Sequence, residues 1–168
     1  QADKGEFHII PVDIDSGNHT IDDVDAIVVR IFGDVARLIY ATKSSTDADK
    51  RWRVFVPVKT AIPGADFIDT QNAVASLLSD HGLTSDKAMS RTGQVSFLPN
   101  KGEHYEHKTG KSLILGSVGD INGLTDRIAQ IEADNARAAK EALENAKRNA
   151  EARRQREATG ELSPIEWF

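Results

Sequence analysis

The chain has 168 residues, 39% of them hydrophobic, enough for one ordinary core and an appendage. A net charge of −5 excludes a globally basic nucleic-acid binder, so any nucleic-acid surface has to be a local patch. The absence of cysteine excludes disulfides, thiolate zinc sites and cysteine nucleophiles, and no apolar run approaches the roughly 18–20 residues that span a bilayer.

In chain order, Gln1-Ala2-Asp3-Lys4 is not a signal peptide and has no initiating Met, so it reads as the interior of something longer. Phe7 to Asp15 predicts a strand ending in acids, followed by the turn signal Ser16-Gly17-Asn18. Thr20 then opens a helix, with Asp23 three residues on as its capping-box partner and Gly33 as its stop. Val35–Thr42 and Trp52–Val58 predict two strands joined by the polar segment Lys43–Lys50, an antiparallel hairpin. Alternation places Trp52, Val54 and Val56 on one face and Arg53 and Phe55 on the other.

Pro63-Gly64 reads as a turn before a helix from about Asp66 to His81, with Phe67, Ile68, Val74, Leu77 and Leu78 inward and Gly82 as its left-handed cap. Val95–Leu98 and Ser112–Leu115 read as short strands, and Lys101–Lys111 as a polar stretch with a turn at Thr109-Gly110. Leu124 to about Glu157 is rich in strong helix formers, with Leu124, Ile128, Ile131 and Leu143 as candidate anchors on the core. The expected architecture is α+β: a small mixed or antiparallel sheet with packed helices over residues 1–120, then a charged Ala-rich helix and linker over 121–168.

Four groups of residues could carry chemistry. Asp13 and Asp15 lie two apart on a strand and so point to the same side. Paired carboxylates suit a hard divalent cation such as Mg2+ or Mn2+; the plainer alternative is two solvated acids before a turn. Arg51 and Arg53 suit phosphate through bidentate hydrogen bonds, or else pair with neighbouring acids, while Trp52 reads as core. Asp86, near Lys87, Arg91 and Gln94 and ahead of the Val95–Leu98 strand, reads on its own as a turn residue after a helix. His104-Tyr105-Glu106-His107 lacks the His-hydrophobe-His strand of rolling-circle nickases and reads as a solvated loop. Phosphate-loop, dinucleotide and nucleophile-elbow motifs are absent.

The series Val12-Asp13-Ile14-Asp15-Ser16-Gly17-Asn18, Leu38-Ile39-Tyr40-Ala41-Thr42, Lys50-Arg51-Trp52-Arg53-Val54 and Gln94-Val95-Ser96-Phe97-Leu98-Pro99-Asn100 resembles the primase-polymerase region of phage and plasmid replication proteins in the archaeo-eukaryotic primase superfamily. The resemblance covers roughly residues 7 to 116. It implies an RRM-type core and template-directed nucleotidyl transfer with Mg2+ or Mn2+ on Asp13, Asp15 and Asp86. It also implies nucleotide phosphate at Arg51, Arg53 and Ser44. Implied partners are a single-stranded nucleic-acid template and nucleoside triphosphates, in the cytoplasm of a bacterium or infected host. Ser163-Pro164-Ile165-Glu166 is similar to the junction leading into a helicase segment, which would follow Phe168. Where many relatives carry Ser-His-Thr, this chain has Ser44-Ser45-Thr46. That departure keeps a catalytically degenerate nucleic-acid-binding domain open as an alternative, beside an unrelated α+β interaction module.

Overall fold

A computed structural model describes residues 4–99, 105–115 and 124–159. The elements are β1 (Glu6–Ile14), α1 (Ile21–Phe32), β2 (Arg37–Ala41), β3 (Trp52–Pro63), α2 (Gly64–Asp80), a short 3-10 turn (Lys87–Ser90), β4 (Tyr105–Lys108) and α3 (Leu124–Thr159). The fold is α+β, as the sequence predicts. The four strands form an antiparallel sheet in the order β1-β3-β2-β4. Two compact units divide the chain, Gln1–Ile131 and Glu132–Phe168.

Period-two alternation decides which side of the sheet each residue faces. Ile10, Val12 and Ile14 of β1, Ile39 and Ala41 of β2, and Trp52, Val54 and Val56 of β3 are buried in one core with Val24, Val28 and Ile31 of α1 and Phe67, Val74 and Leu78 of α2. Each fully buried aliphatic side chain there contributes about 1.5–3 kcal/mol of transfer free energy. Trp52 belongs to this core, and its Nε1–H donates to the carbonyl of His19 at 2.8 Å, docking the turn after β1. Asp13, Arg53, Phe55 and Tyr40 occupy the opposite face, where Tyr40 and Phe55 meet edge-to-face at 5.8 Å between ring centroids.

The first helix begins where its sequence says it must. The Thr20 side chain accepts from the Asp23 amide at 3.2 Å, and the Asp23 carboxylate accepts from the Thr20 amide at 3.0 Å. The Thr20 hydrogen bonds hold the Asp23 carboxyl below its ordinary value. Its contribution is therefore present above the unfolded pKa and lost as pH falls through the lowered folded one. Thr20→Ala removes one half of this box and is expected to cost about 1 kcal/mol at neutral pH, read as a lower urea midpoint with unchanged slope. Gly33 and Gly82 both sit at positive φ, 78° and 84°, where any larger residue would be strained.

Several boundaries differ from the sequence reading. No turn intervenes at Pro63-Gly64: β3 runs to Pro63 and α2 starts at the next residue. The extra length of β3 pairs with the start of β1, Ile62 against Phe7 and Pro63 against Glu6, beyond a register shift between Phe7 and Ile9. Ile68 is 46% exposed rather than inward, because the buried stripe of α2 runs through Phe67, Thr70, Gln71 and Val74.

Val95–Leu98 is not a strand, since it has no ladder partner among the described residues. The place beside β2 is taken instead by β4, inside the stretch read as polar loop, with Tyr105 opposite Tyr40 and His107 opposite Leu38. Edge strands commonly carry charged side chains, which is why Tyr-Glu-His-Lys can pair without looking like a strand. Ser112–Leu115 supplies only one parallel bridge, Leu113 against Val58. Within the first unit, Ile128 and Ile131 of α3 pack on the core as expected, and Arg127 pairs with Asp80. In the second unit Leu143 is 58% exposed, so it anchors nothing there. The Arg137–Asp134 pair on that segment, at 2.7 Å, is a solvated surface contact of small energetic weight. His104, Asn100 and the segment Ser163-Pro164-Ile165-Glu166 lie outside the described residues.

Candidate functional site

The site grows from one row of residues across the sheet. Asp13 on β1 lies opposite Arg53 on β3, Arg53 opposite Tyr40 on β2, and Tyr40 opposite Tyr105 on β4. Directly opposed side chains share a face and touch. Arg53 donates through its NH2 group to Asp13 Oδ2, and both side chains are largely buried. Two polar atoms of this pair, Asp13 Oδ1 and Arg53 Nε, are buried with no hydrogen-bond partner. A buried carboxylate oxygen without a partner carries a desolvation penalty of about 1–3 kcal/mol or more, so it is a place where a ligand can gain.

Burial raises the Asp13 carboxyl above its ordinary value of 3.8. The Arg53 guanidinium opposes this, and the charges of Asp15 and Asp86 add to it. The three acids singled out from sequence are thus electrostatically coupled at Asp13. The backbone also draws Asp86 in: its amide donates to the Asp13 carbonyl at 2.8 Å. The Asp86 side chain is itself committed, accepting from the Ala88 amide at 2.9 Å to cap the 3-10 turn. Asp15 is exposed at the end of the strand. Among the described residues, no group of three or more His, Cys, Asp or Glu is arranged to hold a metal ion.

The phosphate candidates are placed differently from one another. Arg51 lies just before β3 and makes a two-nitrogen contact to Asp49 Oδ2, at 2.8 and 3.0 Å. That hydrogen bond raises the Arg51 pKa. Arg53 faces a cavity of about 740 Å³ together with Tyr40, Lys43, Ser44 and the segment Phe97–Pro99. Ser44 is within 3.3 Å of the Thr42 hydroxyl in the same wall. Ser45 plays a local part: its hydroxyl accepts from the Arg51 amide at 3.0 Å, and its amide donates to the Thr42 carbonyl at 2.9 Å, closing the β2–β3 loop.

Two features went unread in the sequence. Beyond its place in the predicted strand and in the series that carries the resemblance, the Tyr40 hydroxyl donates to the Phe97 carbonyl at 2.5 Å and tethers the 91–99 segment to the sheet. Burial raises its pKa, keeping it a donor at neutral pH. Lys43 was assigned to a polar loop, yet it is the second cationic residue of the cavity wall. Its position two residues past the end of β2 was the available signal. No protein-family model, curated protein or solved structure matches this chain.

Proposed function

We propose that the chain is a nucleotidyl-transfer domain of the primase-polymerase type, acting on nucleoside triphosphates over a single-stranded template in DNA replication. The observation that carries this reading is the buried, partnerless Oδ1 of Asp13, one residue pair away from a cavity walled by Arg53, Lys43 and Ser44. An oxygen of this kind fits a hard divalent cation. Magnesium is usually held by one or two carboxylates together with substrate phosphates, so a preformed all-protein cage is not required. Asp13 and Asp15 would hold the ion, with Asp86 contributing charge from beside them. Bound there, Mg2+ or Mn2+ would supply charge neutralisation at the transferring phosphoryl group. Arg53 and Lys43 would orient the triphosphate, and the Ser44 hydroxyl would donate to a phosphate oxygen.

Manganese titration followed by NMR tests the ion site. Selective paramagnetic broadening at Asp13, Asp15 and Asp86 supports it, and uniform or absent broadening rejects it. Extension of a primed template, measured with and without the ion, tests the transfer itself.

A second reading, a non-catalytic nucleic-acid-binding domain of the same type, is favoured by one specific contact. Arg53 pairs directly with Asp13 and supplies a counter-charge to its carboxylate, while the Ser45 hydroxyl, standing where many relatives carry His, accepts from the Arg51 amide within its own loop. Broadening by manganese without primer extension would select it.

A further inference from the structure

Four large apolar side chains lie outside the core on or beside the 91–99 segment and β4: Val95 at 65% exposure, Phe97 at 76%, Leu98 at 75% and Tyr105 at 54%. Two of them are aromatic, and both are held next to Tyr40. Tyr105 is its ladder partner, and the Phe97 backbone accepts its hydroxyl. Phe97 also stands at the wall of the cavity that contains Arg53 and Lys43. An aromatic ring kept in water on a tethered backbone costs free energy that a buried placement would recover, so its position calls for a ligand with a flat apolar face.

Charge indicates which ligand. The whole chain carries −5, but residues 87–111 hold five Lys or Arg (Lys87, Arg91, Lys101, Lys108, Lys111) against two acids (Glu103, Glu106), a local balance of +3. The stretch of sequence that supplies the exposed rings is therefore basic in an acidic protein. Aromatic rings beside a positive surface are the combination that binds single strands, with bases on the rings and phosphates on the cations. Duplex ends and folded protein partners offer no comparable row of free π-faces.

We propose that Phe97 and Tyr105 form a base-stacking platform that receives single-stranded nucleic acid at the mouth of the Arg53–Lys43 cavity. The proposal rests on the reading of that cavity as a nucleotide site and assigns the template's place beside it. Tyr40 is the positioning residue: the Tyr105 backbone is its ladder partner, and its hydroxyl tethers the Phe97 carbonyl.

The test is fluorescence anisotropy of an end-labelled oligothymidylate with the intact chain at fixed salt. Phe97→Ala and Tyr105→Ala are each expected to weaken binding about 5- to 150-fold, the loss of one stacked base. Phe97→Tyr and Tyr105→Phe keep a ring and retain affinity, which separates stacking from misfolding. On saturation the ring protons of both residues move upfield. Equal affinity in the wild type and both alanine variants, equal affinity for a duplex of the same length, or no binding by the wild type overturns the proposal. Stacking without manganese broadening or primer extension leaves the platform standing and removes the transfer reading. Extension that proceeds with unchanged strand affinity in both alanine variants does the reverse.

Discussion

Primer extension is expected to fall about 10²- to 10³-fold in Asp13→Asn, with a comparable loss in Asp15→Asn and a smaller one in Asp86→Asn. Electrostatic stabilisation of the transferring phosphoryl group by a bound cation is worth several kcal/mol, and each 1.36 kcal/mol is tenfold in rate. Asp13 is the most sensitive position because its Oδ1 is buried and unpartnered. Asp86 is the least, because its side chain caps the 3-10 turn. Extension at wild-type rate in Asp13→Asn would end the proposal.

Stability is expected to move in the opposite sense. Burial raises the Asp13 pKa, so the folded protein binds that proton more readily than the unfolded chain. Between 3.8 and the raised value, stability falls as pH rises. Removing the guanidinium in Arg53→Met takes away the influence that lowers the Asp13 pKa, so the carboxyl titrates higher still and the window widens. A carbon-detected NMR titration of Asp13 in the wild type and in Arg53→Met reads both directions. A lower Asp13 pKa in the variant would contradict the pairing.

The largest stability loss outside the apolar core is expected from Arg37→Met, about 3–5 kcal/mol by urea unfolding. Arg37 is 5% exposed, which is rare for arginine. Its guanidinium donates to both oxygens of Asp25 on α1, at 2.5 and 3.0 Å, to Asp34 at 3.1 Å and to the Val35 carbonyl at 2.9 Å. The Asp25 hydrogen bond raises its pKa against the cost of burial, so the charge persists at any working pH. Methionine replaces the stem but leaves Asp25 and the Val35 carbonyl without their donor. The double variant Asp25→Leu, Arg37→Met should recover much of the loss, since replacing both partners of a buried pair is often close to neutral. A single-variant cost under about 1 kcal/mol would show that the pair is solvated after all.

The contrast between these two arginines explains what was legible in the sequence. Arg53 was readable because it alternates with Trp52, Val54 and Val56, so its face followed from period two. Its partner did not follow, because a cross-strand pair depends on the register of two strands forty residues apart, which alternation within one strand does not give. Arg37 gave no local signal, since its partner lies twelve residues back on a helix. The elements with strong local codes, such as the Thr20–Asp23 box, Gly33 and the amphipathic α2, came out at or near their places. Val95–Leu98 failed because an exposed apolar run and a strand look alike without knowledge of the partner, and β4 failed because its pairing is carried by backbone groups. The proximity of Asp86 to Asp13 rests on one backbone hydrogen bond across 73 positions, which no spacing rule encodes.

The two outer strands of the described sheet are β1 and β4, and each is poorly suited to recruit a stranger. Pro11 interrupts the donor row of β1, and β4 is only four residues long, with Glu106 and Lys108 among them. A passing chain finds few consecutive amides to register against. For a protein that exposes Val95, Phe97 and Leu98, this is a colloidal safeguard: the sheet's own edges give those apolar residues no long strand to line up beside.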